Sequence, residues 1–225
     1  MEQFKDVIDQ IEEGINFDKI SKDVKLYLSF ENEPFLDNEI IEKGQYVKDR
    51  WIDPNLYLYT NGKKADMIPE DHPFDEIIFS NYGDTAKKYY QITGKKIDNV
   101  VFKMCVDKMK NIPRVRVWDA WRENGVFPFS TRAGMVQGEH NQTYEKKENV
   151  SGCKWGRDEW LNIHSNGDMV LCCMDWKRET KYGNCFDKPI LSVLKSGQYK
   201  NIIGKVNGHE SDDMFICKRC EYSKE

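Results

Sequence analysis

The chain has 225 residues, 39% of them apolar and 32% charged, with 38 acidic against 34 basic side chains and a formal net charge of −4. That composition describes a globular protein with enough apolar and aromatic material for a sizeable core. The acidic balance, with lysines scattered rather than clustered, gives no support for nucleic-acid or anionic-membrane binding. No apolar run is long enough to span a bilayer, and Met1-Glu2-Gln3-Phe4-Lys5-Asp6 has neither the basic flank nor the apolar stretch of a signal peptide. Seven cysteines, an odd number, argue for a reducing compartment, so the cytoplasm is the expected location.

In chain order, Phe4, Val7, Ile8, Ile11 and Ile15 fall at helical spacing, with Gly14 marking the helix end. A strand is predicted over Val24 to Phe30, a helix over Asp37 to Trp51, and a second strand over Leu56 to Thr60, followed by an Asn61-Gly62 turn. Glu76 to Ser80 reads as another strand and Thr85 to Gln91 as a helix. From Asp98 to Lys110 the pattern admits one long strand or a strand entering a helix, with Cys105 expected in a core strand. Arg114 to Trp118 reads as a further strand. Alternating helix and strand predicts an α/β fold with parallel pairing, as a barrel or an open sheet.

The polar stretch from Gly138 to Val150 is expected to connect this part to a cysteine-rich segment. There, Leu161 to Cys172 forms a hairpin pattern around an Asn-Gly turn, and Pro189 to Leu194 suits a short helix. Cys153, Cys172, Cys217 and Cys220 stand where a loop, a hairpin and a terminal Cys-x-x-Cys bring sulfurs to one point, which reads as a zinc or iron–sulfur site. Cys172 is chosen over its neighbour Cys173 by its distance from Gly167, and Cys185 is read as packing. Trp118, Trp121, Trp155, Trp160 and Trp176 are read as packing residues, with Trp155 a candidate shield for the site. Asp175 reads as an exposed carboxylate. His72, His140, His164 and His209 show no metal spacing and carry no assigned role.

The order of Cys153, the Asn-Gly-Asp hairpin, Cys172, Gly183-Asn184, Ser196-Gly197 and Cys217-x-x-Cys220 resembles the SPASM or shorter twitch domain of radical S-adenosylmethionine enzymes. The resemblance implies that these four cysteines hold an auxiliary 4Fe-4S cluster. The front part is similar to the barrel of the same family. Glu33, in Asn32-Glu33-Pro34, matches a residue contacting the amino group of S-adenosylmethionine. Asn61, in Thr60-Asn61-Gly62, and Ser80 match strand-end positions near the cofactor, and Arg132 belongs to a stretch like the family's Asn-Arg-Ala-Gly. The implied fold is a partial radical SAM (β/α) barrel over 1–137, a connector over 138–150 and a small α+β SPASM/twitch domain over 151–225.

One departure is plain. The Cys-x-x-x-Cys-x-x-Cys that binds the family's catalytic cluster is absent, and no cysteine precedes Cys105. The resemblance therefore implies a missing N-terminal segment or a partner subunit covering the edge near Val24 to Phe30. It also implies a reductant protein and a peptide or small-molecule substrate. A zinc-binding structural or interaction module, and a catalytically dead homologue that still binds S-adenosylmethionine, are the alternative readings.

Overall fold

The structure, a computed structural model, describes residues 1–29, 32–51, 54–93, 95–119, 133, 146–156 and 159–225. Its contacts divide the chain into two units, Met1–Ile8 with Ile15–Phe127 and Asp9–Gly14 with Pro128–Glu225.

The first unit is built on four strands, β1 (Lys25–Tyr27), β2 (Asn55–Thr60), β3 (Glu76–Asn81) and β4 (Val115–Asp119), all parallel and ordered as in the sequence. The expected α/β class with a parallel sheet is borne out. Alternation sets the faces, since successive side chains on a strand point to opposite sides. Leu56, Leu58 and Thr60 of β2 and Ile77 and Phe79 of β3 are buried on one face, while Tyr57 and Tyr59 stand on the other. There the Tyr27 ring stacks on Tyr57 at 5.2 Å and on Tyr59 at 5.8 Å.

Between strands run α2 (Ile40–Arg50), α3 (Ala86–Thr93) and α4 (Asn99–Asn111). The helix predicted from Asp37 begins three residues later, because Pro34–Leu36 form a separate 3-10 turn capped by Glu33. After β2, Gly62 has φ +75, and a Cβ there would lie 2.5 Å from Phe79 and 3.1 Å from Met109. Only glycine lets the chain turn this close to the sheet.

The stretch from Asp98 to Lys110 is corrected. It holds no strand: Asp98 caps a helix, accepting from Val100 N at 2.8 Å and Val101 N at 3.3 Å. The β-branched pair that suggested a strand is exposed on the helix surface, and Phe102 and Met109 form the buried face. Cys105 is accordingly a half-buried helix residue, not a core strand residue.

The second unit uses shorter elements. β5 (Gly152–Cys153) pairs antiparallel with a strand at Ser223–Lys224, called β9 here, in a two-stranded ladder of its own. β6 (Asn162–Ile163), β7 (Asp168–Val170) and β8 (Gly183–Asn184) form a three-stranded antiparallel sheet, with the expected hairpin between β6 and β7. Two helices follow, α5 (Ile190–Leu194) and α6 (Gly197–Val206), the latter capped by Ser196. Met169, Val170, Met174, Ile190, Val193 and Ile216 are buried in this unit. Residues 9–14 belong to α1 (Glu2–Asn16), the predicted first helix, and Gln10 accepts from Ile190 N at 2.7 Å.

The tryptophans are corrected too. Trp118, Trp155, Trp160 and Trp176 are 39%, 61%, 48% and 45% exposed, so they do not serve as core packing. Trp155 meets Tyr222 edge-on at 5.8 Å and keeps most of its surface in solvent. Trp121 and Phe30 lie outside the described residues. Among the described residues, no helix is long and apolar enough to cross a membrane.

Candidate cofactor and cluster sites

In the sheet unit, Glu33 is firmly placed. Its Oε1 accepts from Thr60 Oγ1 at 2.7 Å and from Phe35 N at 3.3 Å, and its Oε2 accepts from Asn61 N at 2.8 Å. The Pro34 that follows starts the 3-10 turn, which aims the carboxylate back at the end of β2. The result is an oriented anion at the carboxyl end of a parallel strand, where α/β sheets present their ligand sites.

Thr60 went unremarked as a partner of Glu33, although Thr60-Asn61-Gly62 carried the signal. Its hydroxyl donates to Glu33 and accepts from Gly62 N at 3.1 Å, tying the turn to the carboxylate. Ser80 is buried near the end of β3, in register with Trp118 of β4. Asn61 and Ser80 line one shallow pocket together with Lys63, Tyr82 and Tyr89. The Lys63 ammonium lies 5.5 Å from the Tyr89 ring centre, a cation–π distance. Beside the pocket, Asn81 Nδ2 donates to Asp119 at 2.8 Å, a strand-end pair that the sequence did not announce. Glu33, Asn61 and Ser80 are thus gathered at one end of the sheet, and Arg132 lies outside the described residues.

In the second unit, three of the four chosen cysteines are gathered by the β5–β9 ladder. Cys153 stands opposite Ser223. The Ser223 hydroxyl donates to the Cys217 carbonyl, and Ser223 N donates to the Cys220 carbonyl at 3.3 Å. Cys217 lies in the 3-10 turn Ile216–Arg219, and Cys220 follows it. Burial pushes the Cys220 thiol up, with the nearby charges of Glu221 and Cys153 adding to it against hydrogen bonds from Tyr222 and Ser223. Cys172 arrives from the other sheet, two residues past β7, and is buried, whereas Cys173 is half-buried.

The hairpin that delivers Cys172 is fixed by polar contacts. Gly167 turns it with φ +82, and a Cβ there would meet Asn184 and Phe186 at 2.6 Å. Asp168, buried, accepts from Lys181 at 2.5 Å, Asn166 at 2.9 Å and Asn184 at 3.0 Å. Burial alone would push this carboxyl up, but the Lys181 hydrogen bond and charge, with Asn184 and Asn166, outweigh it and hold the group down at about 2.

Asp175 is a correction. It is fully buried rather than exposed, because its carboxylate accepts from Glu179 N at 2.9 Å, Thr180 N at 2.7 Å and Thr180 Oγ1 at 2.5 Å.

Among the described residues, no three His, Cys, Asp or Glu side chains are arranged as a ready metal site, and none of the seven cysteines forms a disulfide. The donor chemistry nevertheless fits an iron–sulfur cluster. It consists of four cysteines, one on the β5–β9 ladder and two tied to that ladder through Ser223, and a buried thiol beside a second thiol is relieved when iron replaces its proton.

Comparison with known proteins agrees with this chemistry. Residues 153–221 match the SPASM iron-sulfur cluster-binding domain, a span that runs from Cys153 past Cys220. The fold is similar to that of BtrN in complex with AdoMet and 2-DOIA, with a TM-score of 0.62 and 16% identity, covering 97% of this chain and 78% of that one. BtrN in an open conformation gives a TM-score of 0.55 at the same identity and coverage. Tagged anSMEcpe with bound AdoMet gives 0.50 at 10% identity, covering 97% of this chain and 73% of that one. No curated protein sequence matches the chain. The resemblance read in the sequence is borne out by the domain model and by the fold.

Proposed function

We propose that this chain, which carries an SPASM domain on a radical-SAM-like α/β fold, is part of an enzyme that modifies a peptide or small molecule by radical chemistry. Its auxiliary 4Fe-4S cluster is held by Cys153, Cys172, Cys217 and Cys220. The single observation that carries the reading is that the SPASM match spans all four cysteines, of which Cys153 lies on β5 and Cys217 and Cys220 are tied through their carbonyls to Ser223, its partner on β9. Such a cluster, when bound, supplies one-electron transfer. The chain's own residues provide the thiolates, and the polar hairpin around Asp168 sets where Cys172 arrives.

At the sheet, Glu33 is the residue to receive the ammonium of S-adenosylmethionine. Thr60 and Asn61 hold its carboxylate in one orientation, which leaves less freedom to be lost on binding. Asn61 and Ser80 contribute polar groups at the same end, with Arg132 as the fourth cofactor residue. The cluster that cleaves the cofactor needs three cysteines that this sequence does not contain before Cys105. A further segment or a partner subunit supplies them in this reading, and a reductant protein supplies electrons.

The test is anaerobic reconstitution with iron and sulfide. The wild-type chain is expected to take up about four irons with brown absorbance, and Cys217→Ala with Cys220→Ala to take up none. A colourless protein holding one zinc would sink the proposal and favour a structural cysteine module. Calorimetry with S-adenosylmethionine tests the sheet, where Glu33→Gln is expected to weaken binding about tenfold by removing a charged acceptor.

A further inference from the structure

Cys172 and Cys173 are adjacent just beyond β7, Cys173 being the first inner residue of a turn closed between the Cys172 carbonyl and Asp175 N, so their side chains leave the backbone in different directions. Which sulfur faces the cluster is therefore decided by how the backbone at this point is set, not by the cysteines themselves. Three backbone groups here are tied. Leu171 N donates to Thr180 Oγ1 at 3.1 Å, the Leu171 carbonyl accepts from Asn162 Nδ2 at 3.1 Å, and the Cys172 carbonyl accepts from Asp175 N at 3.1 Å.

One of these ties leads to a buried carboxylate, that of Asp175, whose own amide makes another. The Thr180 hydroxyl donates to Asp175 at 2.5 Å and accepts from Leu171 N, so Leu171, Thr180 and Asp175 form a chain of hydrogen bonds that ends on a carboxylate. Asp175 also takes the amides of Glu179 and Thr180, closing the loop that leaves Cys173. Inside that loop Arg178 adopts φ 58, a left-handed conformation that a non-glycine residue holds only when its surroundings enforce it. Asp175, Thr180 and Leu171 are all almost wholly inaccessible to solvent. The hydrogen bonds given to this carboxylate come from neutral donors, so its burial costs desolvation that an apolar loop would avoid. A rigid, charge-assisted setting of the backbone is what that cost secures.

We infer that Asp175 and Thr180 are a positioning pair that fixes Leu171 to Cys173 so that Cys172, and not Cys173, presents its sulfur to the cluster. This rests on the reading of Cys172 as a ligand, and the experiment separates the two. The full chain is reconstituted as wild type, Cys172→Ala and Cys173→Ala, and iron content and the electron paramagnetic resonance of the reduced cluster are recorded. The same is done for Asp175→Asn, Thr180→Val and Thr180→Ser, each alone and combined with either cysteine change.

Cys173→Ala is expected to keep the wild-type signal, and Cys172→Ala to weaken cluster retention by more than about a hundredfold, since losing only an outer partner of a ligand already costs about ten- to a hundredfold. Asp175→Asn and Thr180→Val are expected to shift the resonance and to become dependent on Cys173, so that Cys173→Ala now removes iron. Thr180→Ser, which keeps the hydroxyl, is expected to restore the wild-type signal. An unshifted signal in Asp175→Asn and Thr180→Val, with dependence on Cys172 alone, overturns the pair's role while leaving the ligand assignment standing. A Cys172→Ala protein with a full cluster overturns both. If Asp175→Asn does not fold, Thr180→Val decides the matter, because it removes one hydroxyl and conserves volume.

Discussion

Leu56, Leu58 and Ile77 are completely buried on strands of six residues in the sheet unit, where parallel ladders and aliphatic packing hold the structure. The cysteine-bearing unit has strands of only two or three residues, and Asn162, Asp168, Asp175, Thr180 and Ser223 are among its buried groups. The difference teaches that one fold is specified by apolar periodicity along its strands, while the other adds hydrogen bonds to side chains and its thiols to a buried apolar core. Polar ties are directional but contribute little net free energy each. A unit built from them gains most from a group that binds several of its segments at once.

The largest test of that contrast is removal of the bound group. Cys217→Ala with Cys220→Ala, or chelation of iron, is expected to strip hydrogen-exchange protection from β5, β7 and β9 while β2 and β3 stay protected. Metal-linked folding energies of this kind are on the order of 10 kcal/mol. Equal loss of protection in both units would erase the distinction. The converse test is Leu58→Ala, expected to cost about 2–5 kcal/mol of stability by leaving a cavity under the sheet. Denaturant melts should register it, with iron uptake per folded chain unchanged.

Acid sharpens the comparison further. Asp168 is held down at about 2 against an ordinary 3.8, so the fold favours its charged form. The stabilisation it gives is complete above the ordinary value and is lost as pH falls through about 2. Asp168→Asn is expected to cost about 1–3 kcal/mol at neutral pH and to remove this contribution to acid sensitivity of the second unit, read from melts between those two pH values. The smallest effect is expected from Glu76→Gln. The Arg116 pair it breaks is short, with Nε at 2.7 Å, but half exposed, so less than about 1 kcal/mol should go.

The sheet unit was largely legible because alternation at Leu56, Leu58 and Thr60 names both the strand and its buried face. It failed at Asp98 to Lys110, where Val100-Val101 imitates a strand and the deciding fact is a cap made by one aspartate. In the second unit the cysteine order and the Gly167 turn were legible, since both are spacing signals. Asp175 was not, because the amides that bury it come from Glu179 and Thr180, and nothing in their sequence announces that they close on it. The choice of Cys172 over Cys173 rested on the distance from Gly167 alone for the same reason: in our proposal it depends on the partners of Leu171, not on the thiols. Exposed tryptophans misled because size alone does not determine burial.

The β5–β9 ladder joins the first cysteine of its unit to residues near Glu225. During synthesis, each of β2, β3 and β4 finds its neighbour already made, since β1 to β4 pair in the order in which they emerge. Cys153 has no such luck: its partner strand is made after every other element of the unit, and closing so long a loop adds an entropic cost. Between the making of Cys153 and the making of β9 the nascent chain thus carries open thiols, exposed to oxidation or stray metal. A group bound by all four thiols can be held only once that last ladder has closed.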